Sequence, residues 1–307
     1  AFTFFFYYMS VRSAGMGGAS AALPGDRYSG MQNPAGLSSL SSSSFALSHI
    51  QLGGNLSQIG ILTSIPNKKA SSAWGLSLNR IQTPAYTERT EFQPEGTGYK
   101  LYSSQTSAGL SYSKQLTEQF QLGITLKSIS ESYTTGGQNG AYNAFSAAAD
   151  VGFLYTTDLK DLRFAVLLRN FGGSSNLRGS YQASTFNRFP IQSLESNTLP
   201  TEFAMALSFI AYEKNNSSLR LAAQLVHPND NAENYRIGAE FLATKDFAVR
   251  MGYRLNERGQ SWPVGGLGWV INMGQYKMQC DFAVQKTDVM GWKNTIGLVF
   301  YSKKAKT

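Results

Sequence analysis

The feature that most constrains this chain is a period-two alternation of apolar and polar residues, repeated along most of its length. Tyr276, Met278, Cys280, Phe282 and Val284 alternate with Lys277, Gln279, Asp281, Ala283 and Gln285. Phe247, Val249, Met251, Tyr253 and Leu255 alternate likewise with Ala248, Arg250, Gly252 and Arg254. The same holds for Leu219, Leu221, Ala223 and Leu225 against Arg220, Ala222 and Gln224. A strand sends successive side chains to opposite faces, whereas an amphipathic helix would repeat near every 3.6 residues. Reading each run as a strand gives fourteen segments: 44–52, 56–65, 73–85, 105–114, 119–131, 144–157, 161–171, 200–213, 217–227, 233–242, 246–255, 263–273, 276–286 and 292–302.

The connections between these segments sort by parity. The longest, 86–104, 132–143 and 172–199, follow odd-numbered strands. The short ones, 115–118, 158–160, 214–216, 243–245 and 274–275, follow even-numbered strands, with 66–72 somewhat longer. Outer-membrane barrels have an even number of antiparallel strands, short periplasmic turns and long outer loops. The expected fold is therefore all-β: a 14-stranded antiparallel transmembrane β-barrel over 44–307, preceded by an N-terminal plug-like segment over 1–43.

Composition supports a barrel over a helical membrane protein. Charged residues are 15% of the 307, aromatics 13%, and glycine numbers 30. Mean hydropathy is nevertheless slightly negative. A helical span needs about 18 or more apolar residues in a row, and the longest run here is Phe4 to Met9. In a barrel only every second residue meets lipid. Trp74, Tyr112, Phe120, Tyr155, Phe164, Phe209, Phe241, Phe247, Tyr276 and Phe300 all fall near the periplasmic ends of strands, on the apolar face, as an interfacial girdle requires. The strand ending Leu298-Val299-Phe300-Tyr301 closes with aromatics of the kind that barrel-assembly machinery reads. No secretory signal is visible, so a mature chain is expected. Cys280 stands alone, which leaves no internal disulfide or cysteine-based metal site.

The opposite face of the strands carries small residues, among them Gly60, Gly109, Gly123, Ala148, Gly152, Ala204, Ala206, Gly238, Gly252, Gly266, Gly268 and Gly297. Interspersed are Gln58, Lys127, Asp150, Arg163, Arg169, Arg220, Glu240, Arg250 and Arg254. Small lumen residues leave space that the first 40 residues are placed to fill, and the isolated charges are expected to pair. The formal charge of +8 suits a Lys- and Arg-lined lumen and rim, with attraction to acidic headgroups, an acidic partner or anions as the sharper reading. The basic residues are scattered rather than clustered, so nucleic acid is not an expected partner.

Residues 12–37 carry the one distinctive motif: Arg12, then Gly15-Met16-Gly17-Gly18-Ala19, then Asp26, then Asn33-Pro34-Ala35-Gly36-Leu37. Its glycines permit close backbone approach or positive φ, and Asn-Pro starts a turn. A phosphate-loop reading lacks the Gly-Lys-Ser/Thr and the βαβ context. The segment should be compact, irregular and packed within the barrel.

These two blocks at this spacing resemble the opening of the PorV/PorQ family of Bacteroidota outer-membrane proteins, itself related to FadL-type transporters. Arg12, Gly15, Met16, Gly17, Gly18, Asp26, Asn33, Pro34 and Gly36 match, while Val11 stands where that family usually has Ala. The resemblance implies a FadL-like barrel in the bacterial outer membrane, serving as an accessory subunit of a type IX secretion or barrel-assembly complex. Its partners would be outer-membrane lipid and other outer-membrane proteins or surface lipoproteins.

No catalytic constellation is visible, and no cofactor or metal is expected. His49 and His227 are the only histidines; His227 with Asp230 is the sole acid–base pair near an outer turn. Glu88, Glu91 and Glu95 read as a solvated loop face before they read as a cation site. The leading expectation is a non-enzymatic, partner-binding barrel. The outer loops would dock protein through Tyr86, Phe92, Tyr99, Tyr102, Tyr181, Phe186 and Phe189, since exposed aromatics anchor interfaces. Two alternatives differ in kind. FadL-like transport of hydrophobic small molecules needs an apolar pocket and a lateral opening, for which a kink in 263–273 after Pro263 is the candidate. A diffusion pore needs a free lumen.

Overall fold

The computed structural model describes residues 9–134, 141–176, 180–181, 192–193, 196–288 and 290–303. Fourteen long strands form one closed antiparallel barrel: β1 (Ser44–Gln51), β2 (Ser57–Asn67), β3 (Ser72–Gln82), β4 (Lys100–Gln115), β5 (Phe120–Thr134), β6 (Ala141–Thr156), β7 (Arg163–Gly172), β8 (Glu202–Lys214), β9 (Ser217–Pro228), β10 (Asn234–Leu242), β11 (Phe247–Leu255), β12 (Val264–Met273), β13 (Tyr276–Thr287) and β14 (Gly291–Ser302). Each pairs with its sequence neighbours, and β1 closes on β14 with Phe45 opposite Phe300 and Gln51 opposite Asn294. Closure removes every edge whose amides and carbonyls would otherwise face lipid unpaired.

The faces are inverted relative to a soluble protein. In β13, Asp281, Ala283 and Gln285 are buried, while Tyr276 and Phe282 are exposed. In β11, Arg250 and Arg254 are buried and Val249 and Met251 exposed. An apolar outer band on a closed barrel is a transmembrane surface, and such barrels sit in bacterial outer membranes. Trp74, Tyr155, Phe164, Phe209, Phe241, Tyr276 and Phe300 are exposed near one end, joined by Phe45 and Trp269. Phe171, Phe203, Tyr235, Trp262 and Trp292 are exposed near the other.

Turn chemistry follows the same polarity. The connections after even-numbered strands are tight; Asn215 and Gly274 take the left-handed φ that two-residue hairpin turns demand (54° and 60°). The long connections, 83–99 and 173–201, follow odd-numbered strands, so that end faces outward from the cell and the turn end faces the periplasm.

Two expectations need correction. Strand β4 begins at Lys100 rather than 105, because Tyr102 pairs with Thr134 and Leu101 with Tyr86 of a two-residue strand in the preceding loop. And β12 has no kink: it pairs without interruption with β13 from Val264 to Met273. Its ladder to β11 simply stops at Gly252–Val264, since Pro263 has no N–H to extend it. The irregularities in the wall lie elsewhere: in β7, where the register to β6 shifts between Ala149 and Val151 and Asn170 takes φ +56°, and in β8, where the register to β9 shifts between Ile210 and Tyr212.

Candidate functional site: the N-terminal segment and the lumen around it

Residues 9–43 lie against the inner faces of the strands. A short helix, Val11–Gly15, packs on β11 to β14, and a 3-10 helix, Pro34–Ser39, packs on β2 to β6. The first is capped by Ser10, whose hydroxyl accepts from Ser13 N. The second is capped by Asn33, whose Oδ1 accepts from Ala35 N, with Pro34 at its first turn, the placement that proline's fixed φ favours.

The glycines of the wall make room for this segment. Gly238 and Gly252 face each other across β10 and β11. A Cβ on Gly252 would lie 2.2 Å from Met16 C and 2.3 Å from Gly17 N, so only glycine lets the two backbones meet there. Gly152 does the same for Asn33, whose Oδ1 would sit 2.0 Å from an added Cβ. Gly17 and Gly18 both have positive φ (67° and 86°), which turns the chain back after the helix. Gly15 rests against Gly266, and Gly36 against the Ser29 side chain.

Charge fastens the helical half. Arg12 donates to both carboxylate oxygens of Glu240, at 2.7 and 2.5 Å, and to Pro24 O at 2.6 Å. Arg250 bridges Glu240 at 2.8 Å and Asp281 at 2.6 Å, and Gln279 donates to the second Asp281 oxygen. The bidentate fork is the strongest geometry available to such a pair. Asp26 accepts from Ser10 Oγ (2.7 Å) and Tyr28 N (2.9 Å); burial raises its carboxyl above the usual range despite the nearby Arg12. Beside this network, a cavity of about 190 Å³ between residues 25–28 and β10 to β13 is lined by Arg12, Asp26, Glu240, Lys245, Arg250 and Asp281. On the outward side, Arg254 donates to Gly17 O at 2.7 Å and to Glu257 at 2.9 Å. Burial works against ionisation of Glu257, but Arg254 and Arg236 outweigh it and hold its pKa below the usual value.

The 3-10 half is fastened without charge. Ser113 Oγ donates to Ala35 O (2.9 Å), and Asn33 Nδ2 to Ala21 O (2.8 Å). Leu37, Leu40 and Ala73 form the small apolar contact there. Between the halves, Gln224 Oε1 accepts from both Ser20 N and Ala21 N, and Tyr28 OH donates to Leu47 O at 2.5 Å.

At the outer end the inner wall changes character. Ile50, Ile81, Ile129 and Ala148 point inward and cluster with Leu52, Leu199 and Met9. The same end of the barrel also holds a charged group, Arg236 of β10 and Arg254 of β11 with Glu257 in the loop after β11.

The motif residues Arg12, Gly15, Met16, Gly17, Gly18, Asp26, Asn33, Pro34 and Gly36 thus all contact the wall or shape the segment that does. Sequence reading left Arg12's partner unnamed, because Glu240 is 228 positions away. A usable signal existed: counting outward from the 243–246 turn places Glu240 opposite Arg250. The loop aromatics are less gathered. Tyr86, Phe92 and Tyr99 are exposed, Phe92 by 92%, and Tyr102 is exposed on β4 rather than in a loop. Tyr181 lies in a two-residue strand, Ser180–Tyr181; Phe186 and Phe189 lie outside the described residues. His227 pairs with Glu233 at 2.9 Å rather than with Asp230. Glu88 accepts from Thr97 Oγ1, and among the described residues no carboxylate, histidine or cysteine cluster fits a metal.

No protein-family model matches this chain, and no curated protein does. Solved structures do. The Ralstonia pickettii toluene transporter TbuX superposes with a TM-score of 0.67 at 13% identity, covering 99% of this chain and 100% of that one. The fold is that of the FadL-type outer-membrane barrels. The monoaromatic hydrocarbon channel CymD follows at TM-score 0.63 and 10% identity, covering 99% of each chain. A Pseudomonas aeruginosa FadL homologue matches at 0.56 and 11% identity, covering 96% of this chain and 98% of that one.

Proposed function

We propose that this barrel passes small hydrophobic molecules across the outer leaflet, rather than conducting water-soluble solutes. The observation that carries this is the apolar cluster at the outer end of the lumen, where Ile50, Ile81 and Ile129 of the inner wall are covered by Met9, Leu52 and Leu199. A pore for ions or sugars would set these isoleucines against water, which is unfavourable; here Met9 and Leu199 keep them dry. An apolar guest that takes the place of Met9 or Leu199 keeps the isoleucines dry and gains its own transfer free energy. The likeness to a toluene transporter and to a hydrocarbon channel supports the reading. Residues 9–43 block a straight descent, so a guest taken up at the patch leaves by displacing part of that segment or by the wall. The test is uptake of radiolabelled toluene into cells that carry or lack the barrel. Uptake should rise with the barrel and fall several-fold with Ile129→Glu, while sugar uptake stays constant. Equal toluene uptake with and without the barrel would end the proposal.

A second reading rests on a different observation: Tyr86, Phe92 and Tyr99 stand exposed on the loop between β3 and β4. With the resemblance of the Arg12-to-Leu37 motif, they suit a non-enzymatic accessory subunit of a PorV/PorQ-like secretion or assembly complex, docking a surface lipoprotein or another barrel. Affinity purification from mild detergent should then recover a stoichiometric partner that Phe92→Ala weakens. Recovery of the barrel alone counts against it.

A further inference from the structure

Among the described residues the periplasmic rim carries an excess of exposed lysines that the outer rim does not match. Five successive periplasmic turns bring exposed lysines: Lys68 and Lys69 in 68–71, Lys114 before 116–119, Lys160 in 157–162, Lys214 before 215–216, and Lys245 in 243–246. The exposed acids of that end are Glu118, Asp158 and Glu213, half as many. Asp246 is half-buried, and Asp161 is held by Arg163 and Arg220. At the outer end the exposed charges of the described residues nearly balance, Glu91, Glu95, Asp230, Glu233 and Asp288 against Arg80, Arg89, Lys100 and Arg258.

Packing does not ask for these lysines. Among the described residues none of the six is engaged in an ion pair. Their position is specific nonetheless. Each lies a few residues beyond an outward-facing ring near the periplasmic end: Trp74 after Lys68 and Lys69, Tyr112 before Lys114, Tyr155 and Phe164 around Lys160, Tyr212 before Lys214, Phe247 after Lys245. Girdle rings mark the depth of the lipid headgroups. A lysine just outside them lays its aliphatic stem along the apolar band and puts its ammonium among the phosphates.

We infer that the periplasmic rim binds anionic phospholipid headgroups of the inner leaflet. The distribution favours lipid over an acidic protein. A protein interface gathers its energy in a compact, desolvated patch with aromatic anchors. Here the charge is spread turn by turn around the barrel and stays at bilayer depth. The lumen reading is not involved, so this inference stands or falls without it.

The test uses the full chain in nanodiscs of phosphatidylcholine doped with brominated lipid. Trp262→Phe/Trp292→Phe removes the outer-end indoles and leaves Trp74 and Trp269, exposed near the periplasmic end. Brominated phosphatidylglycerol should quench them more strongly than brominated phosphatidylcholine at equal doping. The relative affinity should be at least about tenfold at low salt, since each lysine near an anionic surface contributes about fivefold. The excess should shrink with added salt, whose screening length falls to about 8 Å at physiological strength. Replacing Lys68, Lys69, Lys114, Lys160, Lys214 and Lys245 with Gln should abolish the preference, and replacing them with Arg should keep it. Heat-modifiable mobility on gels checks that each variant is folded; if the Gln variant is not, the salt series on the parent decides. Equal quenching by the two lipids overturns the inference. So does a salt-independent excess, or saturable binding of polyglutamate to the rim without lipid preference.

Discussion

The two halves of the N-terminal segment are held by opposite means. The helical half, around Arg12, is fixed to β10, β11 and β13 by charges that leave water together: Arg12, Glu240, Arg250 and Asp281. The 3-10 half, around Asn33 to Leu37, is fixed to β4, β5 and β6 by serine and asparagine hydrogen bonds and small apolar contacts. A buried charge network tolerates no partial loss, because a widowed charge keeps its desolvation cost. A neutral network loses one bond at a time at about 1 kcal/mol each. The helical half is therefore the anchor that holds or releases as a unit, and the other half is an adjustable seat.

Variants sharpen that contrast. Glu240→Ala strands Arg12 and frees half of Arg250's contacts; it should cost the helical half about 3–5 kcal/mol, read as protease cleavage between residues 9 and 40. Exchanging the pair as Arg12→Glu/Glu240→Arg should restore part of the loss, although Arg250 then faces a like charge. Gly252→Ala forces Met16 and Gly17 off the wall at an expected cost of about 1–3 kcal/mol, the usual range for overpacking. Asn33→Ala removes a cap and a side-chain bond and should cost about 1 kcal/mol. It should leave proteolysis of the Arg12 region unchanged; if both halves loosen together, the division into anchor and seat is wrong.

The smallest effect concerns pH. The Asp26 pKa is raised in the fold, so its stabilising contribution is complete below its unfolded value and is lost as pH rises through the raised one. Asp26→Asn keeps an acceptor for Tyr28 N. It should flatten the pH dependence of plug protection from about pH 4 upward without loosening the segment. Glu257 has the opposite sign: its pKa is lowered, so its contribution is present at neutral pH and is lost as pH falls through that lowered value. Glu257→Gln should therefore weaken protection of the Gly17 region at neutral pH and matter least in acid.

Much of the barrel was legible because alternation is a local property. Each strand announces its own two faces, and turn lengths fix which end is which. Closure of β1 on β14 followed from an even count. The inner contacts were not legible in the same way. Arg12 was visible as part of a motif, and Glu240 and Arg250 as inward charges, but their meeting depends on how an irregular segment crosses the lumen. The glycine pair at 238 and 252 read as empty space, and its purpose became clear only when Met16 was found against it. The missing kink at Pro263 has a simple cause: with no amide hydrogen, proline ends a ladder, and the strand after it stays straight.

The most direct test of the account is single-channel recording in planar bilayers, comparing the parent with Glu240→Ala. The parent should show no steady ion conductance, because residues 9–43 fill the lumen, while the variant should show intermittent openings as the helical half leaves the wall. A parent that conducts steadily, or a variant as silent as the parent despite losing its protease protection, would contradict a plug anchored by that charge network.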